Sequence, residues 1–92
     1  MKSFVYPAIF IKDDDEEVVR VLFPDLELTT DGSFIEEAYL FAKEMLKAYF
    51  TYIEKYDLDF NQPTDFDIVK KSCEEGDIVM LVDAEIEGKE KD

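Results

Sequence analysis

The run FVYPAIFIK, Phe4 to Lys12, is apolar at odd and even positions alike. Successive side chains of a strand point to opposite faces, so Phe4, Tyr6, Ala8 and Phe10 face one way and Val5, Ile9 and Ile11 the other. The run IVMLVDAEI, Ile78 to Ile86, repeats the problem, with Ile78, Met80 and Val82 opposing Val79 and Leu81. A sheet built from these two strands needs cover on both faces. The chain offers one long amphipathic helix, enough for one of them. The other face must be covered by the short segment Asp65 to Lys70, by a second copy, or by a different protein. Patterning alone therefore points to binding, through a dimer or larger assembly or through another partner.

The remaining elements follow from local signals. Asp13 to Glu17, DDDEE, is too charged and too poor in β-formers to continue the first strand, and reads as a hairpin turn. VVRVLF, Val18 to Phe23, is the second strand, stopped by Pro24, which cannot donate to a ladder. A short third strand spans Glu27 to Thr30 before Asp31 and Gly32 turn the chain. Ser33 with Glu36 three residues on fits a capping box. The helix that follows carries Ile35, Ala38, Ala42, Met45, Leu46, Tyr49 and Ile53 on one side and Glu36, Lys43, Lys47 and Glu54 on the other, and ends near Tyr56. Thr64 and Asp67 are spaced for a second cap on the turn Asp65 to Lys70. The last strand is Ile78 to Ile86. Residues 1–87 make a single domain, and residues 88–92 a disordered tail.

This is an α+β chain of order βββαβ. A helix crossover usually returns a strand parallel to its neighbour, which sets the last strand beside the first, parallel to it, in a sheet of order 3-2-1-4. The first strand is then central, and Pro7, lacking an N–H, predicts a bulge or a missing ladder bond.

Charge and composition exclude whole classes of function. With 24 acids against 10 bases among 92 residues, the formal net charge is -14. Such a surface repels phosphate backbones and anionic lipid, so its natural partners are basic and direct nucleic-acid binding is not expected. The chain lacks histidine and has a single cysteine, Cys73, which rules out histidine-based nuclease chemistry and an intramolecular disulfide. Acidic Glu74 and Glu75 beside Cys73 disfavour a thiolate. No run is long and apolar enough to span a bilayer and no signal peptide precedes the first strand, which predicts a cytoplasmic protein without membrane partners. A two-metal nuclease needs a carboxylate within the first strand, and Phe4 to Ile11 has none. Asp25, Asp31, Asp83 and Glu85 are the carboxylates from which a metal-dependent hydrolase would have to be built. The expectation is a non-enzyme without cofactor or metal.

The segment YPAIFIKDDDEEVVRVLFPDLELTTDGSFIEEAYLFAKEML resembles the amino-terminal signature of the HicB-like antitoxin family. A tyrosine-proline strand, an acidic hairpin turn, a Phe-Pro-Asp-Leu corner and a Glu-Glu-Ala helix follow in that order. Tyr6, Pro7, Ala8, Phe10, Asp13, Asp15, Phe23, Pro24, Asp25, Leu26, Glu36, Glu37, Ala38 and Ala42 carry the likeness, and LVDAEI resembles the family's last strand. The resemblance implies a partly degraded ribonuclease-H-like fold and the neutralising half of a toxin–antitoxin pair. Its partner would be a small, basic HicA-like toxin, a double-stranded-RNA-binding-like ribonuclease that cuts messenger RNA with a histidine. Two features depart from the family pattern. The corner after Leu26 is about one residue shorter than the commoner version, and the sequence ends at Asp92, where many members continue into a DNA-binding domain; a short form is expected.

A basic toxin surface can be occupied by an acidic protein without chemistry. The candidate attractive residues are Asp13, Asp14, Asp15, Glu16 and Glu17 on the hairpin turn and Asp25, Glu27 and Asp31 at the corner. Ile9 and Val79 are candidates for the desolvated centre of the interface. Two alternatives compete: a free-standing oligomeric binding or scaffold domain that has lost its toxin, and the hydrolase just described. For the acidic turn the plain alternative is a solvated loop, and for Tyr39, Phe41, Tyr49, Phe50 and Tyr52 it is core packing.

Overall fold

The computed structural model of the chain describes residues 1–87; the tail expected at residues 88–92 lies outside the described residues. The elements are β1 (Lys2–Asp13), β2 (Val18–Phe23), β3 (Leu28–Gly32), α1 (Ile35–Tyr56), α2 (Phe66–Ser72) and β4 (Ile78–Ile86). They form one sheet of order β3-β2-β1-β4 with α1 across one face. The α+β class, the element order and the strand order agree with the sequence-based expectation. Among the described residues no helix is long and apolar enough to cross a membrane.

Both turns of the β1–β2–β3 meander close for local reasons. Asp13 accepts the amides of Asp15 and Glu16 at 3.2 Å each, and Glu17 takes a left-handed φ of 53° to re-enter β2. After Phe23, Pro24 supplies its fixed φ at the second position of a tight turn, and the amides of Leu26 and Glu27 donate back to the Phe23 carbonyl at 3.2 and 2.8 Å. Glu27, at φ 57°, completes the loop.

The direction of β4 overturns the expectation of a parallel last strand. It pairs with β1 antiparallel, from Lys2 opposite Ile86 to Phe10 opposite Ile78. The handedness rule applies when a helix delivers the chain directly to the next strand. Here α1 runs down the sheet and ends level with the start of β1, where Lys2 meets Glu54 at 2.7 Å. Residues 57–65 and α2 then carry the chain back up, so β4 starts at the top and descends. Of the two expectations at Pro7, the bulge is absent and a locally missing ladder bond fits. Register along β1 and β4 is unbroken, Pro7 facing Leu81, and β2 pairs only with Ile9 to Asp13. At Pro7 the strand therefore has a ladder on one side, and a missing donor is tolerated.

The helix cap differs from expectation as well. The N-cap is Phe34, without a side-chain cap bond, and it is Glu37, not Glu36, that reaches back to accept the Ser33 amide at 2.7 Å. The helix begins one residue later than the box requires, so the glutamate three residues inside it is Glu37. Gly32, at the end of β3, lies against this first turn; a Cβ there would stand 2.6 Å from the Ala38 nitrogen. Asp57 ends the helix in a left-handed conformation (φ 57°), with the Leu58 amide bonded to the Ile53 carbonyl at 3.0 Å.

The core lies between α1 and one sheet face. Tyr6, Ala8, Phe10, Val21, Phe23 and Val82 meet Ala38, Ala42, Leu46 and Phe50, all buried. Phe50 is its hub, stacked on Phe4 at 3.9 Å between ring centroids and edge-on to Tyr49 and Phe60 at 5.1 and 5.0 Å. Of the five aromatic residues read as packing, Phe50 is buried and Tyr39 and Tyr49 are half-buried, whereas Phe41 and Tyr52 stand exposed.

Candidate partner-binding surface

The face of the sheet opposite α1 carries no helix among the described residues; Pro7 is buried within it, while apolar side chains around Pro7 remain partly or largely exposed. Cross-strand register arranges it in rows: Asp31, Arg20 and Ile11; then Thr29, Leu22, Ile9 and Val79; then Pro7 and Leu81; then Val5 and Asp83; then Ser3 and Glu85. The middle rows are apolar and the end rows charged. Val5 is 45% exposed, Ile11 37% and Leu81 50%, while Ile9 and Val79 are half-buried and directly opposed. A shallow depression of about 420 Å³ lies between Ile11, Leu22 and Thr29. Since α2 packs on β4 with Val69 buried and leaves these side chains uncovered, the short helix does not close the second face. The result is a dry centre with a polar border, the usual anatomy of a protein–protein contact.

The candidate acids divide between this surface and the frame. Asp13 is committed to its own turn and lies 3.5 Å from Arg20, which also pairs with Glu16. Asp14, Asp15 and Glu17 make no ion pair or side-chain hydrogen bond among the described residues, and all three are exposed. Asp31 joins the top row of the open face, opposite Arg20.

Asp25 belongs elsewhere. Its carboxylate accepts the Thr64 amide at 2.9 Å and the Thr64 hydroxyl at 2.5 Å, and its carbonyl accepts from the Asn61 side chain at 3.0 Å. Beside it the Tyr6 hydroxyl donates to the Asn61 carbonyl at 2.6 Å. Burial, with Asp25 and then Tyr49 nearby, pushes the Tyr6 phenol up to about 12. The Phe-Pro-Asp-Leu corner thus clamps the returning segment 57–65 to the core. This is also why Thr64 does not cap α2, whose N-cap Asp65 has no side-chain cap bond. Glu27 is exposed at the same corner, in a cleft with Asp25, Tyr49 and Asn61. The structure therefore brings Ile9, Val79 and Asp31 onto one face with the hairpin acids at its upper end, and sets Asp25 and Glu27 apart.

Two apolar contributors escaped the sequence reading. Leu22 lies between Ile9 and Thr29 on the open face, and the alternation of Val18, Arg20 and Leu22 against Val19, Val21 and Phe23 carried that signal. The other is a groove of about 860 Å³ lined by Ile35, Tyr39 and Leu40 of α1, Phe66 of α2 and Met80 and Leu81 of β4, with Glu36 the only charged residue in its lining. It depends on where α2 packs, which no local pattern encodes.

Catalytic groupings are not evident. Among the described residues no three of His, Cys, Asp and Glu stand together as metal ligands. Asp83 pairs with Lys43 at 3.2 Å, Glu85 lies 3.4 Å from the Ser3 hydroxyl and Asp25 is bonded to Thr64, so each of these carboxylates has a different partner. Burial, then Asp77, raises the Cys73 thiol, whose sulfur lies 3.2 Å from the Val69 carbonyl; both shift it away from thiolate chemistry.

The sequence matches no family model and no curated protein. A solved structure described as a toxin–antitoxin complex from Streptococcus pneumoniae contains a chain of similar fold, with a TM-score of 0.78, at 25% identity, over 91% of this chain and 70% of that chain. The chain thus has an α+β fold shared with a component of a toxin–antitoxin complex.

Proposed function

We propose that this chain is a HicB-like antitoxin that binds a small basic HicA-like toxin and covers its RNA-binding and active surface. The observation that carries the reading is the uncovered apolar sheet face, bordered by charge, on a chain of net charge -14. The fold likeness to a chain of a toxin–antitoxin complex supports it. A partly degraded ribonuclease-H-like fold, implied by the family resemblance, is part of this reading.

In this mechanism the antitoxin performs no reaction. Asp14, Asp15 and Glu17, with Asp31, draw in a basic surface, and Ile9, Leu22 and Val79 supply the desolvated contact that holds it. Messenger RNA is excluded because its phosphates and these carboxylates compete for the same basic side chains. Duplex DNA is not a ligand of this chain at physiological salt, for the same electrostatic reason.

The test is co-expression with the product of the neighbouring gene, which this reading expects to be small and basic, followed by co-purification and an mRNA-cleavage assay. Neutralisation is expected with the wild-type chain and its loss with Ile9→Asp or Val79→Asp, each first shown to fold. Undiminished capture by both variants would overturn the reading. Self-association over the same face is a second reading, favoured by its apolar centre and opposed by the charge that each copy carries. A monomer at high micromolar concentration in sedimentation would remove it.

A further inference from the structure

The two outer strands of the sheet differ in how their free edges are protected. β3 is short and polar, with Thr29, Thr30 and Asp31 in its five residues. β4 has nine residues, IVMLVDAEI, without the lysine or proline that usually guards an edge. Its ladder runs to β1 alone, and among the described residues the backbone of Ile78–Ile86 makes no hydrogen bond with α2, with the loops or with any side chain outside that ladder. The outward N–H and C=O groups of Ile78 to Val82 therefore form an unpaired template.

This template runs alongside the apolar groove. Met80 points into it from the helix side of β4, while Val79 and Leu81 face the open surface, so a strand added here would have apolar neighbours on both of its faces. Lys43 reaches from α1 to Asp83 and marks the lower end of the open stretch. We infer that the β4 edge takes an extended segment of a basic partner protein as a fifth strand, its alternate apolar side chains entering the groove.

Charge selects this occupant over a second copy. Glu36 sits in the lining, Asp67 follows Phe66 in α2, and Glu74, Glu75 and Asp77 lead into β4. Against these stand Lys70, 6.0 Å from the Phe66 ring centroid, Lys71, also in the last turn of α2, and Lys43, which is already paired. Pairing two β4 edges antiparallel about Met80, the middle of the open stretch Ile78 to Val82, would set Asp77 of each copy opposite Asp83 of the other, which like charges in facing positions oppose. A segment carrying Lys or Arg between apolar residues meets the acids instead. The inference rests on the proposed function for the partner's identity. It adds where the partner's backbone docks, and the edge is continuous with the open face through Val79 and Leu81.

The probe is a capped heptapeptide, Lys-Ile-Lys-Val-Lys-Ile-Lys, titrated into the isotope-labelled full chain, with Glu-Ile-Glu-Val-Glu-Ile-Glu and a proline-interrupted version as controls. Amide shifts and slowed hydrogen exchange are expected at Ile78 to Val82 with the basic peptide alone. Leu40→Gln alters an exposed side chain of the groove wall (59% exposed) and should leave the fold intact while weakening the peptide tenfold or more. Shifts confined to Val5 and Ile11, equal binding of the acidic peptide, or no response at about 1 mM peptide would each overturn the inference. So would protection of the same amides in a peptide-free dimer, which would make the occupant a second copy. Capture of a basic toxin by Leu40→Gln at wild-type strength would overturn docking here and leave neutralisation standing. Specific peptide binding by a chain that holds no toxin would support the edge site and remove the antitoxin reading.

Discussion

The two faces of β1 carry similar amounts of apolar side chain and have different fates. Phe4, Tyr6, Ala8 and Phe10 meet α1, and Tyr6 and Phe10 are each 1% exposed; on the other face Val5 and Ile11 stand exposed and Ile9 is half-buried among its cross-strand neighbours Leu22 and Val79. Apolar patterning tells that a face needs cover without telling which chain provides it. On the covered face a substitution should be read in folding stability, and on the open face in association.

The sharpest break of that comparison is Phe50→Ala. Removing the ring that Phe4, Tyr6, Tyr49 and Phe60 surround is expected to lower unfolding free energy by about 3–5 kcal/mol, read by urea denaturation. A loss below about 1 kcal/mol would mean that the covered face is not the source of stability. Next is Asp25→Asn, which weakens the clamp on Thr64 and should cost about 1–3 kcal/mol. Faster hydrogen exchange in residues 57–65 would be its local signature.

Tyr6→Phe keeps the ring and removes the hydroxyl bonded to Asn61, for an expected loss of about 0.5–1.5 kcal/mol. The fold raises this phenol from 10.0 to about 12, favouring its neutral form. Its contribution is full below pH 10 and is lost as pH rises toward 12, because the unfolded chain ionises first. The variant should lack that part of the alkaline decline. Its persistence in a pH series of denaturation curves would assign the decline to other groups.

Val5→Ser, on the open face, is expected to change stability by no more than about 0.5 kcal/mol. A loss as large as that of Phe50→Ala would show that the open face is buried in solution by self-association. The smallest stability effect should come from replacing Asp14, Asp15 and Glu17 by their amides. Stability should hold, while association with a basic partner slows and loses part of its salt dependence in surface plasmon resonance. An unchanged association rate would leave the hairpin acids a solvated loop.

Element order was legible because its signals are local: Pro24 after VVRVLF, the acidic DDDEE turn, and the helical spacing of Ala38, Ala42 and Leu46. Bounds were less so: β3 runs through Asp31 and Gly32, which were expected to turn the chain after Thr30. The strand order 3-2-1-4 agrees with expectation although the crossover rule behind it gave the wrong direction. The direction of β4 was not legible, because it depends on where residues 57–65 return. That path is fixed by Asp25 to Thr64 and Tyr6 to Asn61, contacts between positions 39 and 55 residues apart. The same gap explains the candidate site. Ile9 and Val79 could be placed on one face by alternation alone, and Asp25 could be read as an acceptor of backbone bonds at a tight corner as well as an attractive acid, but nothing local named its partner Thr64. Glu37 replaced Glu36 at the helix start through a shift of one residue, finer than sequence signals resolve.

Gly32 links the far edge of the sheet to the groove. With only hydrogen where a Cβ would stand 2.6 Å from the Ala38 nitrogen, β3 acts as a fulcrum on which the first turn of α1 rests without a shim. Ile35, Tyr39 and Leu40 ride on that same end of the helix and form one jaw of the groove, with Met80 and Leu81 on the other. A methyl group inserted at the fulcrum would lever the jaw outward, so the gauge of a cleft beside β4 is set by an atom missing from β3.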